Sequence, residues 1–213
     1  MEIKDLLRKD LMIMDLKATT KMEAINEMVA KLKEKNIISD ETTFKDLILK
    51  REERSSTGLG EGIAMPHAKT SVVNTPSVLF ARSNKGIDYD ALDDEPVYIF
   101  FMIAASEGAH DLHIETLAKL SKMLLNDDFT QGLKTCSTPD EVYALVDKYS
   151  EKSEETVKEE VKEVQNANKK RILAVTACPT GIAHTYMAEA ALKEAGEKLG
   201  VDVKVETNGA DGI

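Results

Sequence analysis

Apolar side chains recur at helical spacing from residue 20 to about 35. Met22, Ile25, Met28, Val29 and Leu32 fall on one face. Thr20 and Glu23 stand at the spacing of a capping box, in which the hydroxyl caps the backbone and the carboxylate reaches back. A second helix is predicted from about Glu41 to Glu53, with Phe44, Leu47 and Ile48 as its stripe. The pattern then shortens to β-rich runs at Val78–Ala81 and Val97–Ile103. The second run is nearly all apolar, as a strand covered on both faces would be. A third helix is expected over about Asp111–Leu125, burying Leu112, Leu117, Leu120 and Leu124. The last begins at Thr138-Pro139-Asp140-Glu141, a cap with proline at the first helical position. Irregular alternation of strands and helices over residues 1–149 predicts an α/β domain, a mixed sheet flanked by helices.

From Glu151 to Lys170 there are six acidic and five basic residues, with no glycine or proline. Val157, Val161 and Val164 are the sizeable apolar side chains there, too few for a core. Residues 150–170 therefore read as a charged, solvated linker, partly helical at most. After it, Ile172–Thr176 forms an apolar strand, Ala183–Leu199 a helix and Val201–Glu206 an alternating strand. Residues 171–213 thus read as the first β-α-β unit of an open parallel-sheet domain. Two strands and one helix cannot close a core of useful size, so the chain is expected to be a fragment of something longer.

Composition narrows the function classes. A net charge of -10, from 28 basic and 38 acidic residues, repels nucleic-acid phosphates and anionic lipid. No stretch approaches the roughly 20 apolar residues of a membrane span, and the charged start lacks the apolar core of a secretory signal. Neither nucleic-acid binding nor direct membrane insertion is expected. Cys136 and Cys178 are differently placed, as two lone thiols suited to a reducing compartment, so a cytoplasmic location is expected.

The order strand, cysteine, small loop, helix places the Cys178 thiol at a helix N-terminus. Unpaired amides and the helix dipole there favour a thiolate and would cradle phosphate oxygens. Thr180 and Thr185 supply hydroxyls, and Gly181 permits close backbone approach. From position alone, a buried cysteine after a core strand is an equal reading. A cysteine phosphatase would want an arginine six residues on, where His184 stands. The stretch Cys178-Pro-Thr-Gly-Ile-Ala-His-Thr-Tyr-Met-Ala-Glu-Ala190 resembles the phosphocysteine loop of fructose-type IIB domains of the bacterial phosphoenolpyruvate-dependent sugar phosphotransferase system. Val205-Glu206-Thr207-Asn208-Gly209 is similar to the strand and turn that follow in that family.

His67 follows a flexible glycine segment, Gly58-Leu59-Gly60-Glu61-Gly62, a short apolar stretch and the stiffening Pro66. A neutral imidazole is a good nucleophile near neutral pH, and phosphoryl relay needs little beyond positioning and charge neutralisation. Arg51 offers a fixed positive charge, and His110 and His113 open a helix from which either could reach a phosphate. By themselves these histidines read first as turn and helix-start residues, and the three together are a conceivable but incomplete metal set. The run from Arg51-Glu52 through Ser56-Thr57-Gly58-Leu59-Gly60-Glu61-Gly62-Ile63-Ala64-Met65-Pro66-His67 resembles the active-site signature of fructose/mannitol-type IIA domains, over essentially all of residues 1–149.

That resemblance implies that His67 is the phosphorylated residue, with His113 in the place of the family's second histidine. It implies a relay from the histidine phosphocarrier protein to His67 and on to Cys178. Arg51 and His113 would stabilise phosphate at the first site, and Thr180 and Gly181 at the second. Phosphocysteine would then phosphorylate fructose as a membrane IIC domain or subunit brings it in, which would associate the chain with the membrane. No cofactor and no metal is implied. Two other readings stay open at this point: a regulatory phosphoprotein like nitrogen-type IIA domains, and an inactive fragment.

Overall fold

The structure, a computed structural model, describes residues 3–107, 110–160, 171–177 and 182–208. Within these ranges the side chains of residues 4, 110–115, 151–160, 171, 177, 182–184 and 208 lie outside the description. A short helix α1 (Ile3–Leu6) and a 3-10 turn (Lys9–Leu11) precede α2 (Lys21–Glu34). The capping box forms as expected: Thr20 accepts from the Glu23 amide, and the Glu23 carboxylate accepts from the Thr20 amide. Ala24, Ile25, Met28, Val29 and Leu32 are buried, whereas Met22 in the first turn is 47% exposed and lies off the core stripe. Helix α3 (Glu41–Arg54) is capped by Asp40, which accepts from the Thr43 amide. Its buried line is Phe44, Ile48 and Glu52, spaced by four residues, so a carboxylate ends an otherwise apolar stripe.

Three short strands follow: β1 (Gly58–Gly60), β2 (Ile63–Ala64) and β3 (His67–Lys69). Two longer ones are β4 (Ser77–Ile87) and β5 (Val97–Ala105). Strand β5 is the apolar run expected to be covered on both faces, and eight of its nine residues are buried. It pairs antiparallel with β4, and parallel with both β2 and β3. The parallel register is continuous, Ile63↔Ile99 and Ala64↔Phe100, then His67↔Ile103. Strands β2 and β3 therefore form one line beside β5, interrupted at Met65-Pro66. Pro66 has no amide to give the ladder, but its carbonyl still accepts from Ile103 N–H at 2.9 Å. The chain before α2 runs along β4, with Ile13 N–H on Phe80 O and Arg82 N–H on Ile13 O, both 2.9 Å, and so covers an edge that would otherwise invite pairing.

One face of the sheet, with Phe100, Met102, Ala104, Leu79 and Ala81, packs into a core shared with α2 and α3. The other face carries Val78, Phe80, Ile99, Phe101 and Ile103, all buried, with the Phe80 and Phe101 rings edge to face at 5.4 Å. A mixed α/β sheet flanked by helices is thus what the pattern predicted.

Helices α4 (His110–Leu124), α5 (Asp127–Thr135) and α6 (Pro139–Glu160) follow, then β6 (Arg171–Ala177), α7 (Ile182–Leu199) and β7 (Asp202–Asn208). The chain divides into two compact units, one of residues 1–113 and 131–147, the other of 114–130 and 148–213. In the first, α5 and α6 approach closely where a Cβ on Gly132 would meet Leu145 at 2.8 Å. Helix α6 opens with the Thr138 cap and runs to Glu160, so residues 150–160 of the expected linker continue it. In the second unit, β6 and β7 are parallel neighbours in register from Arg171↔Asp202 to Ala177↔Asn208, with α7 packed on them. No helix among the described residues is long and apolar enough to cross a membrane.

Candidate functional site

The glycine segment expected to be mobile is a tied hairpin. Gly60 and Gly62 have φ of +97° and +80°, which only glycine adopts freely, and Glu61 between them sits at +55°. The Asp93 carboxylate accepts from the Glu61 amide at 2.8 Å, and Lys134 Nζ donates to the Glu61 carbonyl at 3.3 Å. The Glu61 and Glu95 amides that donate to it hold the Asp93 carboxyl below its ordinary range.

The return arm of the hairpin leads to His67. Met65 N–H donates to the Thr57 carbonyl at 2.9 Å, joining the two arms. The residue before a proline is confined to extended backbone, which orients the Met65 carbonyl. That carbonyl lies 2.8 Å from His67 Nδ1. A carbonyl oxygen can only accept, so Nδ1 carries the proton and the lone pair is on Nε2. His67 is partly buried at the start of β3, beside the β5 backbone at Ile103.

Burial of the His67 ring pushes its pKa down to about 4, and the Arg51 positive charge acts in the same direction, against the Met65 hydrogen bond. The ring is therefore neutral at physiological pH, the state a nucleophile requires. The folded value lies below the usual 6.5. The stability this contributes is whole above about pH 6.5 and is lost as pH falls towards 4, because the unfolded chain takes the proton first. A 15N titration of the His67 ring is expected to give a midpoint near 4, and a midpoint at 6.5 would contradict the desolvation of the ring.

Arg51 lies in the last turn of α3, partly buried, and its guanidinium also donates to the Ser55 carbonyl at 3.0 Å. Arg51 thus lies within electrostatic range of the His67 ring. The α4 backbone begins at His110, but the side chains of His110 and His113 lie outside the described residues. Cys178, Thr180 and Gly181 also lie outside them, in the segment between the end of β6 and the start of α7. Thr185 is buried, with its carbonyl accepting from the Thr176 hydroxyl at 3.2 Å, so it is tied into the strand–helix packing. Cys136 is a buried thiol just after α5, and burial raises its pKa.

Residues to which the reading of the sequence gave no role are tied to the same hairpin. Glu52 is buried and accepts from the Thr57 amide at 3.1 Å, from the Thr57 hydroxyl and from Tyr89 O–H at 3.3 Å, and pairs with Lys21 Nζ at 3.0 Å. The signal for it was in the pattern: position 52 continues the Phe44–Ile48 stripe, and a carboxylate on a core stripe must be paired. Asp93 gave no comparable signal, because it is 32 residues from the amide it holds.

A mixed sheet with a neutral imidazole at the break between two short strands, within electrostatic range of an arginine, defines a type of domain that the comparisons identify. Residues 5–149 match the family described as phosphoenolpyruvate-dependent sugar phosphotransferase system, EIIA 2, and the chain belongs to that family. Residues 173–213 match the family described as PTS system, lactose/cellobiose specific IIB subunit, so the start of a IIB domain follows. The chain is 44% identical over its full 213 residues to the "PTS system fructose-specific EIIABC component" of Bacillus subtilis (strain 168). It spans about a third of that relative's length, 34%. Among solved structures it is similar to the nitrogen regulatory protein IIA-Ntr of Neisseria meningitidis. That match has a TM-score of 0.63 and 28% identity, over 68% of this chain and 98% of that one. It is also similar to the mannitol enzyme IIA of Escherichia coli in its complex with phosphorylated mannitol enzyme IIB. There the TM-score is 0.58 and the identity 25%, over 66% of this chain and 98% of that one.

Proposed function

We propose that the chain relays phosphoryl groups for sugar uptake, from the histidine phosphocarrier protein to His67 and from His67 to Cys178. The observation that carries this is the Met65 carbonyl on His67 Nδ1, which puts the nucleophilic lone pair on Nε2. In the first step Nε2 attacks phosphorus, and the donor's N–P bond breaks with its electron pair returning to the donor ring. The proton stays on Nδ1, donated to the Met65 carbonyl, whose dipole stabilises the positive character the ring acquires. Arg51 offsets charge on the phosphoryl oxygens. In the second step the Cys178 thiolate attacks the same phosphorus, restoring the neutral ring. The family match over residues 173–213 supports Cys178 as acceptor, and Thr180 and Gly181 as phosphate-stabilising groups of its loop. His113 serves beside Arg51 at the first site.

The division that suits this relay is a IIA domain over residues 1–149, a linker over 150–170 and the start of a fructose-type IIB domain over 171–213. Tethering raises the effective concentration of one site near the other. The final step, transfer to fructose, requires a membrane IIC domain or subunit, on which the chain would dock from the cytoplasm. The 44% identity to a fructose-specific relative, against 28% to IIA-Ntr, favours transport over the regulatory reading.

Single-turnover transfer from phosphorylated phosphocarrier tests the order. The Cys178→Ser chain is expected to hold its label on His67, while the unaltered chain passes it on; label on Cys178 ahead of His67 would overturn the order. Arg51→Ala is expected to slow acceptance on the order of 100-fold. Arg51→Lys should recover only part, because an ammonium lacks the planar fork. A rate within a few-fold of the unaltered chain would remove Arg51 from the site.

A further inference from the structure

We infer that Glu52 is a positioning residue for the nucleophile, acting on the His67 imidazole through Thr57 and Met65. The proposal rests on His67 being the phosphoryl acceptor and concerns a buried carboxylate that the transfer steps do not use. Glu52 has a side chain only 5% exposed, at a position where an apolar residue would complete the Phe44–Ile48 stripe. A charge there is costly unless fully satisfied. Four donors satisfy it: the Thr57 amide at 3.1 Å, the Thr57 hydroxyl, the Tyr89 hydroxyl at 3.3 Å and the Lys21 ammonium at 3.0 Å.

Two of the four come from one residue, so the carboxylate fixes both the backbone and the side chain of Thr57. The other two are held in turn, with Lys21 4.7 Å from the Tyr89 ring centroid and the Tyr89 ring packed on Phe100 at 5.4 Å. From Thr57 the constraint passes along hydrogen bonds. The Thr57 carbonyl takes the Met65 amide at 2.9 Å, and the Met65 carbonyl takes His67 Nδ1–H at 2.8 Å. Glu52 also follows Arg51 in α3, so anchoring this helix end to Thr57 sets the cation and the nucleophile against each other. Both halves of the phosphate site hang on one buried carboxylate.

The test uses the full chain, with Glu52→Ala, Glu52→Gln and Thr57→Val, each checked for folding by thermal melting. Long-range 1H–15N spectra of 15N-histidine protein report the His67 tautomer. The unaltered chain is expected to show the proton on Nδ1 alone, and Glu52→Ala a mixture of both tautomers. Transfer from the phosphocarrier is expected to lose on the order of 10- to 100-fold in kcat, with KM changed by less than about twofold. Glu52→Gln, which keeps one acceptor oxygen, should fall between, and Thr57→Val should reproduce part of the loss. In the Glu52→Ala background the Thr57→Val loss should shrink, since both act through one path. A lower melting temperature with an unchanged tautomer and kcat would make Glu52 merely structural and overturn the proposal. If Glu52→Ala does not fold, Glu52→Gln and Thr57→Val decide it by the same readouts. If even the unaltered chain accepts no phosphate, the relay fails, but the tautomer spectra still decide whether Glu52 positions His67.

Discussion

Replacing His67 with alanine is expected to reduce phosphoryl acceptance from the phosphocarrier to background, and with it all labelling of Cys178. The expectation follows from the tautomer. Met65 O fixes the proton on Nδ1 and leaves Nε2 as the nucleophile. His110 and His113 belong to α4, outside the strand break that orients His67. The fold should be little affected, because His67 is only partly buried and its strand is held by backbone pairing to β5. Autoradiography or phosphate-retaining gels with the full donor chain measure this directly. Labelling of Cys178 in the His67→Ala protein, with no other IIA domain supplied, would show that the relay does not pass through His67.

The largest effect on stability is expected at Phe100. It is fully buried in β5, opposite Ala64 on β2 and Ala81 on β4, with its ring edge-on to Tyr89 at 5.4 Å. Phe100→Ala leaves a cavity between small neighbours that cannot fill it, a loss of about 3–5 kcal/mol. Calorimetry should show a fall in Tm on the order of 10–20 °C for a unit of this size. The same cavity undercuts Tyr89 and hence Glu52, so the residual folded protein should accept phosphate more slowly. A loss under about 1 kcal/mol would mean that the strand is not the centre of the core.

Much of this was legible in the residues. The Thr20–Glu23 box, the Phe44–Ile48 stripe, the continuous apolar run of β5 and the Thr138-Pro139 start of α6 are local signals, and each formed where it was expected. What escaped was either short or long-range. Helix α5 is nine residues with a central glycine, poor by propensity and fixed by packing on Leu145. Strands β1, β2 and β3 have two or three residues each; β2 and β3 exist because β5 offers a ladder, and β1 because β2 does, which no window of sequence records. Met22 has the right period for the α2 stripe but lies in the first turn, exposed. At the site, His67 and Arg51 were visible as a motif, whereas the reason for their geometry was not. The path from Glu52 through Thr57 and Met65 depends on hydrogen bonds between residues joined only by the folded hairpin.

The central claim, that His67 is the phosphoryl acceptor, is tested most directly by intact mass and peptide mapping. The chain is incubated with phosphoenolpyruvate, enzyme I and the phosphocarrier. The account predicts an acid-labile phosphate on the peptide containing His67, retained in the Cys178→Ser chain. Phosphate on another histidine, or none anywhere, would contradict it.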